Sequence, residues 1–362
     1  LENTTLVYSS DGNQTFMLSN YNAIAEGQGV DSPFEGAVTL TRASGSADFV
    51  NVNSQSGDLT VLNAGSYSVT VALSNTLNYV WADDDTTAPF TIDMTVQRKG
   101  LNKPTAPSSV TYSPDGNSAT IPGFVDATMN IADATLVSGQ LNIDHENGRL
   151  SAANAGTYTV TISLADKNNY CWGSDGGTDT ADFTRDWTIT PAEISVPEVS
   201  SASLSLKYTA TPQTVTFENT TENAYEVTDD TKTAAGNYTA TFTLNVNVMG
   251  ETNYVWSNNS AGQSAAAQVP WSIAPYTITT APTLAADSAS VYASDGMSAT
   301  VEGFIATDND IFTGTGDGVV MTSHDDGRFT ATGNSLSAQN WSGTNGYSVT
   351  ITLSPNYQWA SS

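Results

Sequence analysis

The stretch Tyr158-Thr159-Val160-Thr161-Ile162-Ser163-Leu164 decides how the chain folds. Its bulky residues alternate with Thr and Ser, and a period of two puts them on one face and the hydroxyls on the other. That is the pattern of a half-buried strand. Threonine on the wet face favours the same backbone, because its β-branch suits the pleat. Just ahead lies Ala155-Gly156-Thr157, a corner from which the strand starts. The arrangement recurs at Ala64-Gly65-Ser66-Tyr67-Ser68-Val69-Thr70-Val71 and at Ala235-Gly236-Asn237-Tyr238-Thr239-Ala240-Thr241-Phe242. A fourth copy, one residue shorter, is Gly346-Tyr347-Ser348-Val349-Thr350-Ile351.

Two more landmarks recur in register with it. Upstream stands a Tyr before a turn, in Tyr8-Ser9-Ser10-Asp11-Gly12, Tyr112-Ser113-Pro114-Asp115-Gly116 and Tyr292-Ala293-Ser294-Asp295-Gly296, with a weaker copy at Lys207-Tyr208. Downstream stands Asn-Tyr-x-Trp, at Asn78–Trp81, Asn169–Trp172, Asn253–Trp256 and Asn356–Trp359. The upstream tyrosines are 104, 96 and 84 residues apart, the size of a small β-sandwich rather than of a solenoid repeat. The first three copies then close with a further strand, around Asp93-Met94-Thr95-Val96, Asp186-Trp187-Thr188-Ile189 and Pro270-Trp271-Ser272-Ile273. Short Pro-flanked junctions follow, so four units are expected, at 1–103, 104–196, 197–281 and 282–362. No sustained helical periodicity interrupts them. The fold class expected is all-β, tandem immunoglobulin-like sandwiches arranged as an elongated rod.

The fourth unit stops after Trp359 without its closing strand. A window cut from a longer array is the simpler reading of that end, and a strand donated by another chain is the alternative.

In immunoglobulin-type sandwiches a Tyr near the start of one strand hydrogen-bonds back across a tight corner. Tyr67, Tyr158, Tyr238 and Tyr347 are the candidates for that role. The chain thereby resembles the bacterial immunoglobulin-like repeats of large secreted surface proteins, of the YDG/MBG-like kind. The resemblance rests on Tyr-x-x-Asp-Gly, Ala-Gly-x-Tyr-x-Val-Thr, Asn-Tyr-x-Trp and the Trp-Thr-Ile-x-Pro-Ala-x-Ile exit. It implies a tandem array that projects or binds something at a cell surface, hence an extracellular or cell-surface location.

Composition narrows the function. Ten Lys plus Arg stand against 37 Asp plus Glu, a formal charge of −27. Binding to a nucleic-acid backbone rests on basic side chains displacing counterions, so nucleic acid is excluded as a partner. Docking on anionic lipid by a polybasic patch is excluded likewise, and no apolar stretch reaches the ~18 residues of a membrane span. One cysteine, Cys171, rules out an intrachain disulfide framework. It occupies the x of Asn-Tyr-x-Trp, where Val80, Val255 and Gln358 stand elsewhere, which marks it as space-filling.

No reaction centre assembles from the sequence, and the chain reads as not an enzyme. His145 and His324 hold the same position in units two and four, so they belong to equivalent turns rather than to one site. Asp83, Asp84, Asp85, Asp308 and Asp310, with Asp175, Asp179, Asp229 and Asp230, offer oxygen ligands to Ca²⁺, yet none follows the spaced Asp/Asn loop with its closing Glu. Solvated acidic loops are the first reading, Ca²⁺ stiffening of the array the second, and no other cofactor is expected.

Trp81, Trp172, Trp256 and Trp359 admit two readings. Exposed, they are sugar-stacking platforms; buried, Asn-Tyr-x-Trp plugs the end of each sandwich and seals the junction to the next unit. Recurrence in every unit favours the plug. Only unit four carries the insertion Ile311-Phe312-Thr313-Gly314 and Trp341, so a glycan-binding alternative places its contacts at Trp341 and Phe312. The partners expected are other copies of the chain, neighbouring repeats, or a host or cell-surface glycan or protein. The function expected is that of a structural or adhesive segment of an adhesin, stalk or filament.

Overall fold

A computed structural model describes residues 4–18, 38–44, 49–81, 86–279, 282–285, 294, 296–302, 319–323, 329–332, 335–340 and 346–360. Among them the fold is all-β, with one 3-10 turn at Ser201–Ser203. The strands form immunoglobulin-like sandwiches. Two compact units divide the chain: Leu1–Pro191 with Val248–Glu251, and Ala192–Asn247 with Thr252–Ser362.

The first unit holds two sandwiches of the same plan. In the first, a four-stranded sheet runs Thr5–Val7, Phe90–Gln97, Gly65–Leu73, Val38–Ser44, and a three-stranded sheet runs Gln14–Met17, Asp58–Val61, Phe49–Val52. In the second, the four-stranded sheet is Val110–Thr111, Phe183–Thr190, Gly156–Leu164, Met129–Asp133, opposed by Asn117–Thr120, Arg149–Ala152, Leu141–Asp144. The opening strand lies parallel to the closing strand in both, Thr5 beside Thr95 and Val110 beside Ile189.

The alternation behaves as its period requires. Tyr158, Val160, Ile162 and Leu164 are all buried and pack with Ile131, Leu150, Trp187 and Ile189 between the two sheets. Phe16, Leu59 and Val61 meet Tyr67, Val69, Met94 and Val96 in the same way in the first sandwich. No disulfide contributes, so these dry interiors carry the stability.

In the second unit one sheet is Tyr225–Thr228, Gly236–Leu244, Ala267–Ile273, around a core that includes Phe242, Trp256, Trp271 and Ile273. Pro270 sits within its closing strand, which lies at the sheet edge, where a missing N–H costs no ladder bond. The last sandwich pairs Val319–Ser323 with Val349–Leu353 and sets Thr283–Leu284, Met297–Glu302, Ser335–Ala338 and Phe329–Thr332 in a second sheet.

The Pro-flanked junctions are strands themselves. Lys99–Leu101, Ala192–Ile194 and Tyr276–Ile278 leave their closing strands and form parallel two-stranded ladders. Their partners are Tyr170–Trp172, Tyr254–Trp256 and Tyr357–Trp359, the last three residues of Asn-Tyr-x-Trp. The motif therefore holds the exit segment of the sandwich before it, rather than sealing the junction to the one after it.

Candidate functional site

The parallel ladders bring together more of the recurring residues than any other place in the described structure. In each, the first exit residue donates its N–H to the carbonyl of the motif Asn: Lys99 to Asn169 at 2.9 Å, Ala192 to Asn253 at 3.0 Å, Tyr276 to Asn356 at 2.9 Å. The residue after the motif Trp closes the other end: Gly173 donates to Leu101, Ser257 to Ile194 and Ala360 to Ile278, each at 2.8 Å. The third exit residue is Leu or Ile throughout, and each is half-buried.

The motif Asn adds a second grip. Asn169 is 3% exposed. Its Oδ1 accepts the N–H of Ala64 at 2.7 Å, and its Nδ2 donates to Asn63 Oδ1 at 2.9 Å and to Asp166 Oδ2 at 2.7 Å. Asn63 and Ala64 belong to the Ala-Gly-x-Tyr corner of the first sandwich, so the second sandwich clasps that corner. Asn356 repeats this on Ala235, whose N–H reaches its Oδ1 at 2.7 Å. The motif Tyr adds a ring contact with the upstream Tyr of the preceding sandwich. Tyr170 meets Tyr8 edge-on at 5.4 Å between centroids, and Tyr357 meets Tyr208 at 5.3 Å. Burial, then the nearby Tyr170 and Asp166, push the Tyr8 hydroxyl above its ordinary pKa.

The corner tyrosines bond back across their corners. Tyr67 donates to Asn63 O at 2.5 Å, Tyr158 to Asn154 O at 2.7 Å, Tyr238 to Ala234 O at 2.7 Å and Tyr347 to Asn340 O at 2.5 Å. The preceding glycine leaves room for that hydroxyl, since a Cβ on Gly236 would come within 3.2 Å of Tyr238 Oη.

The motif tryptophans differ in exposure. Trp172 is 4% and Trp256 0% exposed, Trp81 is half-buried, and Trp359 is 41% exposed. Trp172 donates its indole N–H to Ala181 O at 2.9 Å and meets Phe183 edge-on at 5.1 Å. Trp81 does the same with Ala88 O at 2.7 Å and Phe90 at 5.1 Å. Lys103 and Arg185 cover the Phe183 ring, at 5.2 and 4.6 Å from its centroid. Buried faces of this kind offer a sugar no platform. Trp341 and Phe312 lie outside the described residues.

The carboxylates near the ladders serve the junction. Asp175 Oδ1 accepts the N–H of Gly100 at 2.7 Å. Asp179 takes Lys103 at 2.9 Å and the N–H of Ala181 at 3.1 Å, and those bonds hold its carboxyl below the usual range. Away from the ladders, Asp229 pairs with Lys232 at 2.8 Å in the turn after Tyr225–Thr228. Among the described residues no three His, Cys, Asp or Glu side chains gather to hold a metal ion. Asp83, Asp84, Asp85, Asp308 and Asp310 lie outside the described residues.

His145 is exposed in the turn between Leu141–Asp144 and Arg149–Ala152, and His324 lies outside the described residues. Cys171 is fully buried, its Sγ 3.4 Å from Ser174 O. An open groove in the second unit runs along Val196–Val199 and Ala267–Pro270, and Glu198 is the one ionisable group lining it.

The exit strands are the part that the sequence pattern read only as short Pro-flanked junctions. A signal was present: Leu101, Ile194 and Ile278 put one apolar residue at the same place after each closing strand. Three residues are too few for periodicity to separate a strand from a linker.

No protein family and no curated protein sequence matches the chain. Among solved structures it is similar to mouse cadherin-23 EC22-24, at 11% identity and a TM-score of 0.19, over 68% of this chain and 88% of that one. It is similar to Sidekick-1 immunoglobulin domains 1-5, at 11% identity and a TM-score of 0.21, over 99% and 79%. It is also similar to SGBP-B of the Bacteroides ovatus mixed-linkage glucan utilization locus, solved with a mixed-linkage heptasaccharide, at 14% identity and a TM-score of 0.18, over 89% and 78%. At these TM-scores no residue role passes from them to this chain.

Proposed function

We propose that the chain is a non-catalytic structural segment of an extracellular, cell-surface adhesin, stalk or filament, built from YDG/MBG-like repeats at 1–103, 104–196, 197–281 and 282–362. The observation that carries this reading is the junction itself. The same parallel ladder forms three times, from the same motif residues, with the same terminal hydrogen bonds. Investment of Asn, Tyr and Trp in joining one sandwich to the next is the signature of a chain whose task is to transmit position or force. Flexible linkers would need none of it.

An excess of acid over base on a surface rich in Ser and Thr suits such a segment, because net charge keeps laterally exposed strand edges apart. The partners on this reading are further repeats of the same kind, with a surface glycan or protein as cargo of the array. Small-angle scattering provides the test. A radius of gyration well above the ~21 Å of a compact 362-residue globule is expected, and a value near it would defeat the array.

A further inference from the structure

The first Asn-Tyr-x-Trp, Asn78-Tyr79-Val80-Trp81, has the lateral bonds of the other copies. Tyr79 N–H donates to Asn75 O at 3.1 Å, as Tyr170 does to Asp166 at 3.0 Å. Trp81 N–H donates to Thr86 O at 2.8 Å, as Trp172 does to Asp179 at 2.7 Å. What differs is the side that carries the exit strand elsewhere. No strand pairs with residues 78–81 among the described residues. Asn78 is exposed, whereas its counterpart Asn169 is 3% exposed and joins the preceding corner through both its Oδ1 and its Nδ2. Among the described residues the Asn78 carboxamide makes no hydrogen bond. Val80 is 52% exposed, against 0% for Cys171 in the same slot, and Leu77 beside it is 95% exposed.

We propose that Asn78-Tyr79-Val80-Trp81 is a docking edge for the exit strand of a further immunoglobulin-like repeat, joined ahead of this one in the same polypeptide and taken up in parallel register. This deepens the structural reading above and rests on it, by naming the surface and the segment through which the array continues. The occupant's chemistry follows from the three junctions in hand. It is an extended tripeptide ending in Leu or Ile, following directly on a closing strand, whose first N–H reaches the Asn78 carbonyl. It brings an Asn-Ala-Gly corner, or a like one, for the Asn78 carboxamide. The covalent form is favoured by arithmetic. A three-residue ladder and one amide clasp are far below the area of a stable association between separate proteins, whereas a tether supplies an effective concentration in the millimolar range.

The test uses the full chain carrying Val80→Cys, alone and extended at its front by a copy of residues 1–282, whose exit strand Tyr276–Ile278 then precedes the edge. Labelling of the V80C thiol by a maleimide, located by peptide mass, is the readout; Cys171, being buried, stays silent in both. At least tenfold slower labelling in the extended chain is expected. Full-rate labelling is expected again when Tyr276-Thr277-Ile278 of the added copy becomes Gly-Ser-Gly. Equal rates with and without the extension would overturn the proposal, and so would protection that survives the Gly-Ser-Gly exchange. Protection by the 1–282 block added as a separate protein would overturn the covalent form. Equal rates alongside an extended scattering profile would sink this edge alone and leave the structural role standing.

Discussion

Tyr158 and Tyr238 occupy the same place in two sandwiches and make the same bond, yet their surroundings differ. Tyr158 is fully buried, while the Tyr238 bond lies at the exposed surface. A hydrogen bond lost in the interior strands its partner, and one lost at the surface is replaced by water. Tyr158→Phe is therefore expected to cost about 1 kcal/mol of unfolding free energy, and Tyr238→Phe distinctly less, measured by urea denaturation of the full chain. Tyr8 gives a second contrast within one residue. Its hydroxyl pKa is raised, first by burial, so the fold prefers the neutral phenol. That preference is fully present below the ordinary tyrosine pKa of about 10 and is lost as pH rises through the raised value. Tyr158, raised by burial, adds in the same direction. Tyr8→Phe keeps the edge-on ring pair and removes one of the two ionisations, so the fall in melting temperature between about pH 9 and pH 11 should become shallower. An unchanged slope would place the alkaline loss elsewhere.

At the scale of the element, the exit strands are the part that rests on close fit. Gly100, the middle residue of the first, pairs with Cys171, and the loop after Trp172 lies directly over it. A Cβ built there would stand 2.2 Å from Gly173 O and 2.4 Å from the Ser174 carbonyl carbon. Both are backbone, with no flexible end to swing aside. Gly100→Ala should cost about 2–3 kcal/mol through overpacking. The matching exchange in the third exit strand, Thr277→Ala, should cost under about 1 kcal/mol, the worth of its exposed bond to Gln358. Paired denaturation curves check the difference, and equal effects would mean that the first ladder does not bear on stability. The same element shows where the sequence was readable. Nine-residue corner strands announce themselves, because five inward and four outward positions make the alternation plain, as at Gly156–Leu164. The corner bonds were expected from likeness to immunoglobulin-type sandwiches, in which a Tyr just after a tight corner bonds back across it. The exit strands carried too few residues to show a period, and their partners lie some 60 to 80 positions away, as Lys99 does from Tyr170. Asn-Tyr-x-Trp was legible as a recurring motif but not in direction: nothing in its four residues says which neighbour it holds.

On the scale of the whole molecule, charge and edges act against each other. Ten basic residues in 362 leave few lysines to guard strand edges, the common defence against edge-to-edge pairing. Mutual repulsion from a net charge of −27 has to serve instead. That defence depends on pH, because it consists almost wholly of carboxylates and disappears near the isoelectric point of about 4.1. Several of those carboxylates have a second role. Asp179 holds Lys103 of the exit segment, with its pKa lowered chiefly by that bond, so this contribution is complete above the ordinary carboxylate range and is lost as pH falls below it. Acidification thus removes intermolecular repulsion first and loosens the junction afterwards. Lateral association, seen as a rise in scattered light, should begin between about pH 5 and pH 4 while the near-ultraviolet signal of the buried tryptophans is unchanged. Loss of that signal should follow only at lower pH, where Asp179 is protonated. Added salt at pH 7 screens the repulsion without protonating anything, so it should promote association and leave the junction intact. If the tryptophan signal fell before scattering rose, unfolding rather than edge exposure would be the cause of association, and the charge would have no protective part.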